Sequence, residues 1–522
     1  MTERLSTRIL RRATVLGLAS LTGWAHLAQA QTPAATPLPA AQAQEPQGPV
    51  VRLSMAQAVE MAMESNLGLQ VSRLDLDRAD RQIAVARSSF LPLAGFNVGR
   101  TSQESQSLTN PDGTRTNPTS TTVSGGTTVS QQLPWYGTAY SVTWGGNRNV
   151  VSGSGATFNP SLGASLNVNF SQPLWQGLRI DPQRANLEVS QRNRVVADLQ
   201  LEQRIVQLDS QVRFAYLQLV SAIEQNKVAN ENFRVAEESL RQARARVEVG
   251  VSPEIEIIEN EAQVEGQRVN VILTEAQIQD ARDALRRLIL NPNRPDYWTT
   301  DLQPTDTIDL SEPAIDLENA VANALANRLD LQQLRRSIEI TDLNARVASD
   351  NIKPQVDLNV NLRSGAFGGT RFLSPAETER ISYGTVLGDT FGFAYPTWTV
   401  GVNVGVPIGQ TAARAQLAQT QILQRQQAIT LRDSELAITE QVRGAAREVE
   451  NSYRRVQALQ ASRQATERQL EAEERRFAVG LSTAFQLQQR QRDLFNSRAQ
   501  EVNAMIAHQR ALINFERVQK IN

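Results

Sequence analysis

Four short segments of the chain alternate apolar and polar residues with a period of two. In residues 161–171 every even position is apolar, and the odd positions carry serine, glycine or asparagine. Residues 355–363 and 397–406 alternate in the same way, and residues 93–100 do so less regularly. Successive side chains of a strand point to opposite faces, so this period predicts strands with one apolar and one polar face.

Two much longer segments show helical periodicity. Residues 182–249 contain no internal proline or glycine, and apolar residues recur there at three- and four-residue spacing. This predicts a helix about 100 Å long, at about 1.5 Å per residue. Large apolar residues alternate with alanine along one stripe, which is typical of a coiled-coil seam. Residues 414–479 repeat the pattern with a weaker seam, and return helices are predicted at 253–290 and 483–518.

The chain carries two copies of one plan. Residues 53–98 align with residues 315–360 at a constant shift of 262 positions without a gap, and thirteen aligned positions are identical. Each copy is predicted to run helix, strand, long loop, strand, very long helix, tight turn and helix. We therefore divide this part of the chain into a first repeat at 53–290, a linker or equatorial segment at 291–314 and a second repeat at 315–522.

Prolines beside the predicted strands locate a difference in length between the copies. Pro92 and Pro173 are 81 positions apart in the first repeat, whereas Pro354 and Pro407 are 53 positions apart in the second. The first repeat therefore carries 28 additional residues in the segment predicted to be a loop.

A nearly identical motif follows each long helix. Gly250 and Gly480 are expected to adopt the left-handed conformation that ends a helix. Ser252 and Ser482 are expected to cap the return helices, with Pro253 at the first helical position in the first copy. The motif therefore predicts a well-capped hairpin bend.

Capping does not explain the apolar residue that follows each glycine. Val251 and Leu481 stand at the exposed end of a long hairpin, and exposed apolar patches mark interaction sites. We therefore predict a docking surface at the two turns, formed by Gly250, Val251, Ser252, Gly480, Leu481 and Ser482.

Three features favour a membrane barrel over a soluble β-sandwich. The strands are about 9–11 residues long, which suffices to cross a bilayer when they are tilted. Their polar faces suit a water-filled lumen, and four tryptophans stand where an interfacial girdle would place them: Trp135, Trp144, Trp175 and Trp398. Four strands cannot enclose such a lumen, and a membrane sheet must close. Several chains are therefore expected to share one barrel.

An export signal is predicted at the amino terminus. Four arginines precede a short apolar stretch that ends in Ala28-Gln29-Ala30, so residues 1–30 are interpreted as a secretory signal peptide. Residues 31–52 are rich in proline, alanine and glutamine and are expected to form a flexible lead-in.

Composition argues against enzyme chemistry. The 522-residue chain has no cysteine and two histidines, of which His26 lies in the predicted signal peptide. A metal cluster or catalytic triad would depend on His508 alone, so no catalytic residue, metal or cofactor is expected. The glutamates at 254–261 are interpreted as a solvated helix N-terminus. A net charge of -1 gives no electrostatic footprint for nucleic acid.

Together these features resemble the TolC family of outer-membrane efflux proteins. The resemblance covers residues 52–520 and is carried by the paired openings at 53–70 and 315–332, the four prolines and the paired turns. It implies an α+β membrane protein with four transmembrane strands and long coiled-coil helices per chain. It also implies a homotrimer in the outer membrane of a Gram-negative bacterium, with a 12-stranded barrel and a 12-helix periplasmic tunnel.

The resemblance also assigns roles to the ends of the tunnel. The four prolines would mark the junction of barrel and tunnel, and the turns would dock a periplasmic adaptor that connects to an inner-membrane pump. Some relatives hold entrance aspartates where this chain has two glutamines. The periplasmic entrance is accordingly assigned to Gln486, Gln489, Asp493, Glu256 and Glu259.

An alternative function is a trimeric surface coiled coil, structural or adhesive, with a β-barrel anchor. That class predicts one carboxyl-terminal β segment, whereas the predicted strands lie inside both halves of this chain. Export of small molecules or polypeptides through a channel-tunnel explains the strands, the seams and the duplication together.

Overall fold

The computed structural model describes residues 49–106, 108–109, 113, 115–152, 157–306, 310, 314–374, 377–406, 408–409 and 411–519. The predicted signal peptide and nearly all of the lead-in lie outside the described residues, as does Pro407.

Helices and strands alternate along the described chain in two long series. The helices are α1 (Met55–Ser65), α2 (Leu67–Ser88), α3 (Pro182–Glu248), α4 (Ile255–Ile289), α5 (Leu317–Asn327), α6 (Leu329–Asp350), α7 (Tyr383–Phe391), α8 (Thr411–Ala478) and α9 (Ala484–Gln519). The strands are β1 (Val50–Leu53), β2 (Leu93–Glu104), β3 (Leu108–Thr109), β4 (Arg115–Thr116), β5 (Thr119–Gln132), β6 (Ala139–Ser152), β7 (Phe158–Pro173), β8 (Asp301–Pro304), β9 (Gln355–Ser374), β10 (Glu377–Ile381) and β11 (Pro396–Gly405).

The internal duplication is visible in the bounds of the helices. α1 and α5 have 11 residues each, and α2 and α6 have 22 residues each. The side chain of Ser54 accepts a hydrogen bond from the Gln57 N–H, and that of Asp316 accepts one from the Asn319 N–H. A side-chain oxygen at this position satisfies a free donor of the first helical turn. Both copies therefore begin with the same capped helix pair.

Seven of the described strands form one antiparallel sheet. Its order is β10–β9–β7–β6–β5–β2, and β11 also pairs with β9. β11 pairs with the first ten residues of β9, and β10 pairs with five of its last six residues. The four predicted strands are confirmed as β2, β7, β9 and β11.

The predicted number of four strands in the sheet is wrong. The segment predicted as a loop between β2 and β7 contains β5 and β6, which have 14 residues each and pair along their whole length. The sequence signal for β5 is weak because it consists of threonine, serine, glycine and glutamine, with Val123 and Val129 as its apolar side chains. Period-two alternation identifies a strand only when one face is apolar.

The register continues one apolar face across the sheet. Phe170 of β7 pairs with Val360 of β9, which pairs in turn with Val400 of β11. The opposite face is polar, and Asn361 donates there to Asn167, with 2.6 Å between Nδ2 and Oδ1. The predicted division of these strands into an apolar and a polar face is confirmed.

The two longest helices form the framework of the helical region. α3 has 67 residues and α8 has 68. The predicted seam of α3 is buried at Leu208, Val212, Leu219, Ala222, Ala229, Ala236 and Ala243. The seam of α8 is buried at Ile438, Val442, Ala445, Val449 and Val456. None of the helices in the described ranges combines the length and apolar character that crossing a bilayer requires.

A short parallel strand pair ties the linker to the middle of α3. β1 pairs with β8, which lies inside the linker segment. The Tyr216 hydroxyl donates to the Leu53 carbonyl at 3.1 Å and accepts from the Thr305 and Asp306 N–H groups at 3.2 Å. Burial raises the pKa of Tyr216. The buried hydroxyl is thus satisfied by the segments that it joins.

Candidate functional site

The two turns at the ends of the long helices have the same backbone geometry. Gly250 has a φ of 73°, its N–H donates to Val247 at 3.0 Å, and the N–H of Val251 donates to Arg246 at 2.9 Å. The second turn repeats both bonds, at 3.0 and 2.8 Å, around Gly480 with a φ of 76°. This pair of bonds is a Schellman motif, which ends a helix through a left-handed residue.

The first return helix begins later than predicted. α4 begins at Ile255, and the preceding residue, Glu254, makes no side-chain capping bond. Ser252 and Pro253 therefore lie before the helix, so the predicted cap at Ser252 is wrong. The chain reaches the helix through two tight turns, in which the N–H groups of residues 256 and 257 donate three residues back at 3.1 and 3.0 Å.

The second return helix is capped by a different residue from the predicted Ser482. The Thr483 hydroxyl accepts from the Gln486 N–H at 3.3 Å, and the Gln486 side chain accepts from the Thr483 N–H at 3.3 Å. This reciprocal pair is a capping box. The Ser482 hydroxyl instead donates to the buried carboxylate of Glu473.

The turns expose apolar side chains. Val251 is 74% exposed and Leu481 is 71% exposed, although both are aliphatic. Val249 and Val479, which immediately precede the two glycines, are exposed to a similar degree. Each turn therefore presents a small apolar patch, which we call the tip.

Arg246 joins the first hairpin to the second. Its guanidinium forms an ion pair with Glu256, which is only 8% exposed, and lies 5.0 Å from the centre of the Phe477 ring. A buried carboxylate requires such a partner because desolvation penalises its charge. The sequence motif contains both Arg246 and Phe477, but it indicates only a bend and not this contact.

A polar link lies one helical turn beyond the ion pair. The Asn260 side chain is buried, donates to the Glu256 carbonyl at 2.8 Å and accepts from Gln488 at 3.1 Å. Gln488 belongs to α9, so the two return helices are connected as well. Between the hairpins lies a groove of about 810 Å³, lined among others by Val251, Ser252, Glu256, Phe477, Ser482 and Leu487.

The residues assigned to the entrance fall into two groups: Asp493 and Glu256 belong to ion pairs, and the other three do not within the described ranges. Gln489 donates to Asp493 at 3.1 Å, and Arg490 forms an ion pair with the same carboxylate at 3.3 Å. Gln486 is exposed and occupied by the capping box. Glu259 is exposed and, within the described ranges, forms no ion pair, unlike Glu256.

The junction prolines stand where strands meet helices. Pro92 and Pro354 immediately precede β2 and β9, and Pro173 ends β7. Beside Pro173 the N–H of Gly177 donates to the buried carboxylate of Asp350 at 2.6 Å. This contact fastens the start of the α3 segment to the end of α6.

His508 does not form a catalytic constellation. It is fully buried between α8 and α9, and its Nδ1 lies 3.0 Å from the Ser452 hydroxyl. Burial lowers the pKa of His508 because the charged imidazolium is desolvated. In the described part of the chain, no group of three acidic, histidine or cysteine residues is placed to hold a metal ion.

Comparison with known families identifies this architecture. A family model described as outer membrane efflux protein matches residues 140–289 and 320–518, which include both helical hairpins. The chain belongs to the outer membrane efflux protein family. Members of this family are transport channels, and this efflux-family chain lies in the outer membrane of a Gram-negative bacterium, with its helices in the periplasm.

Two relatives with low sequence identity to this efflux protein support the family assignment. The pyoverdine export outer membrane protein OpmQ of Pseudomonas putida is 25% identical over 381 residues, covering 70% of this chain and 72% of that protein. The outer membrane protein TolC of Vibrio cholerae is 24% identical over 350 residues, covering 65% and 73%.

Solved structures share its fold. The CmeC outer membrane channel of Campylobacter jejuni has a TM-score of 0.64 at 15% identity, covering 89% of this chain and 85% of that one. The outer membrane protein VceC of Vibrio cholerae has a TM-score of 0.63 at 13% identity, covering 89% and 95%. At these identities the likeness establishes the fold.

Proposed function

We propose that this chain forms a trimeric channel-tunnel that exports small molecules or polypeptides from the periplasm. The observation that carries the proposal is a two-faced sheet, open along both edges, that continues into two hairpins with exposed apolar tips. Among the described strands, β2 pairs only with β5 and β11 only with β9, and both edge strands are exposed along nearly their whole length. Unpaired edges in a membrane require closure, which neighbouring copies supply.

The barrel shared by three such chains contains eighteen strands, not the twelve that four strands per chain would give. Six strands of the sheet have ten or more residues: β2, β5, β6, β7, β9 and β11. Barrels of about 16–18 strands leave an aqueous channel. The polar face, with asparagines such as Asn167 and Asn361, then lines this channel.

The tips dock a periplasmic adaptor, which couples the tunnel to an inner-membrane pump. The support is the pair of exposed apolar side chains, Val251 and Leu481, beside a groove between the hairpins. The similarity to a pyoverdine export protein makes pyoverdine the first cargo to test.

Disulfide crosslinking tests the shared barrel, because the natural chain has no cysteine. One cysteine is scanned along β2 and another along β11 in the same chain. At matching depths they should link neighbouring copies into covalent trimers, which should conduct ions in planar bilayers. Monomers at every pairing would contradict the shared barrel.

The strand number has its own test. Single cysteines at 121–130 should react with a membrane-impermeant reagent at alternate positions if β5 lies in the wall of the barrel. Uniform labelling along this segment would place β5 and β6 outside the wall.

A further inference from the structure

The apolar face of the sheet carries a groove that begins midway along β5 and β6 and extends away from the helices. Gly125 of β5 pairs with Gly146 of β6, and Val98 and Ala164 continue the same row on β2 and β7. Because this row is nearly free of side-chain bulk, it leaves an apolar groove of about 440 Å³. Its walls include Val123, Trp144, Leu162 and Tyr383.

The other half of the same row is already covered by this chain. Ala164 pairs with Ala366 of β9, and Val386 of α7 packs on both and is fully buried. A Cβ atom on Gly368 would lie 2.6 Å from a methyl group of Val386. Small residues thus admit an apolar group onto this row at one end. At the other end the Tyr383 hydroxyl covers Gly146, and the groove stays open above Gly125.

Two arginines stand beside the open part of the groove. Arg100 of β2 and Arg148 of β6 both pair with Val123 of β5, one row farther from the helices than Gly125. Strands lie about 4.8 Å apart, so the two backbones are roughly 10 Å apart, within reach of one anion for two arginine side chains. Both are exposed, and neither forms an ion pair within the described ranges.

We propose that this groove binds a phosphorylated lipid of the outer leaflet, with one acyl chain over Gly125, beside Tyr383, and the phosphate between Arg100 and Arg148. The inference rests on the proposed function, because it requires the apolar face to contact lipid. The helices lie in the periplasm, so the strand ends farthest from them lie toward the outer leaflet. Cationic side chains on a lipid-facing surface are tolerated at this depth, where headgroups begin.

The test is a titration of purified trimers that already conduct ions with lipid A, which carries phosphates and acyl chains. Binding is measured by native mass spectrometry for the wild type, Arg100→Gln, Arg148→Gln and the double variant. Arg363→Gln is the matched control, because Arg363 lies on the polar face of β9 and is also exposed. Using conducting trimers separates failure of lipid binding from failure of the channel.

Each lost arginine should weaken lipid A binding about fivefold. Dephosphorylated lipid A should bind the wild type as weakly as lipid A binds the double variant. Unchanged affinity in the double variant, or equal weakening by Arg363→Gln, would overturn the proposal.

Gly125→Leu tests the acyl-chain site. A Cβ at residue 125 would meet its nearest neighbours at 3.6 and 3.7 Å, so the strand accommodates it while the side chain fills the groove. Binding of lipid A should fall at least fivefold, and excess inorganic phosphate should not displace lipid A from the wild type. Unchanged binding in Gly125→Leu, or full displacement by phosphate, would remove the groove from the proposed site.

Discussion

Glu256 and Glu259 lie about one turn apart on α4 and carry the same charge in different surroundings. Glu256 is buried between the hairpins and paired with Arg246, whereas Glu259 faces solvent. The cost of removing a partner from a buried ion pair is large because the other charge is left desolvated. The sequence shows only two similar carboxylates, so this difference depends on the packing of the second hairpin against the first.

Glu256→Gln should loosen the tips, and Glu259→Gln should not. Loss of a charge-assisted hydrogen bond costs roughly 1.5–3 kcal/mol. We expect faster amide hydrogen exchange at residues 246–256 and a higher open probability in bilayers for Glu256→Gln. Equal behaviour of the two variants would show that the ion pair does not hold Arg246 against the second hairpin.

At the scale of elements, the sequence predicts those features whose signal is local. The alternation in β7, β9 and β11 is visible because each has a continuous apolar face, and the helix seams are visible for the same reason. The sequence does not predict β5, because this strand is held by ladder hydrogen bonds to β2 and β6 and has no continuous apolar stripe. The start of α3 at Pro182 is predicted correctly, whereas the starts of α4, α8 and α9 differ by one to three residues, since a cap is defined by where the first helical turn closes.

Adjacent residues of β11 point to opposite faces of the sheet, so substitutions at neighbouring positions should have opposite outcomes. Val400→Arg places a charge on the apolar face beside Val360 and should cost roughly 2–4 kcal/mol near the bilayer midplane. Thr399→Arg on the polar face should assemble and change conductance. Heat-modifiable trimers on gels measure assembly, and equal yields of both variants would refute the assignment of the faces.

The tips predict a specific loss of adaptor binding. Val251→Asp combined with Leu481→Asp should leave the trimer intact, because both side chains lie beyond the buried seams. Crosslinking to the adaptor and export should then fail. The exchange Val251→Leu with Leu481→Val keeps the apolar character and should behave as the wild type. If crosslinking and export survive in the aspartate variant, the turns are bends in the chain and not a docking surface.

At the scale of the whole molecule, the entrance of the tunnel should carry little net charge. By resemblance the second hairpin is the inner one, so the proposed trimer would place Gln486 and Gln489 around the opening. The nearby Asp493 carboxylate is paired with Arg490. The assembled wild-type channel should therefore show little block by multivalent cations from the periplasmic side.

Gln486→Asp with Gln489→Asp should create that block, since six carboxylates in a constriction attract multivalent cations. The matched variant with asparagine at both positions keeps the shape without the charge and should not be blocked. Current through single channels at increasing cation concentration measures the effect. Strong block in the wild type that disappears in Glu256→Gln would show that the inner and outer hairpins are exchanged.

The hairpin of β5 and β6 occurs in the first copy only, and this sets the symmetry of a trimer. The two helical hairpins of each chain are near-equivalent, so three chains present a ring of six similar tips to a partner. The strands of the two copies are not equivalent, so the barrel formed by three chains repeats only three times around its axis. In the proposed trimer a symmetry mismatch would therefore lie at the prolines where strands become helices, with approximate sixfold order toward the periplasm and threefold order in the membrane.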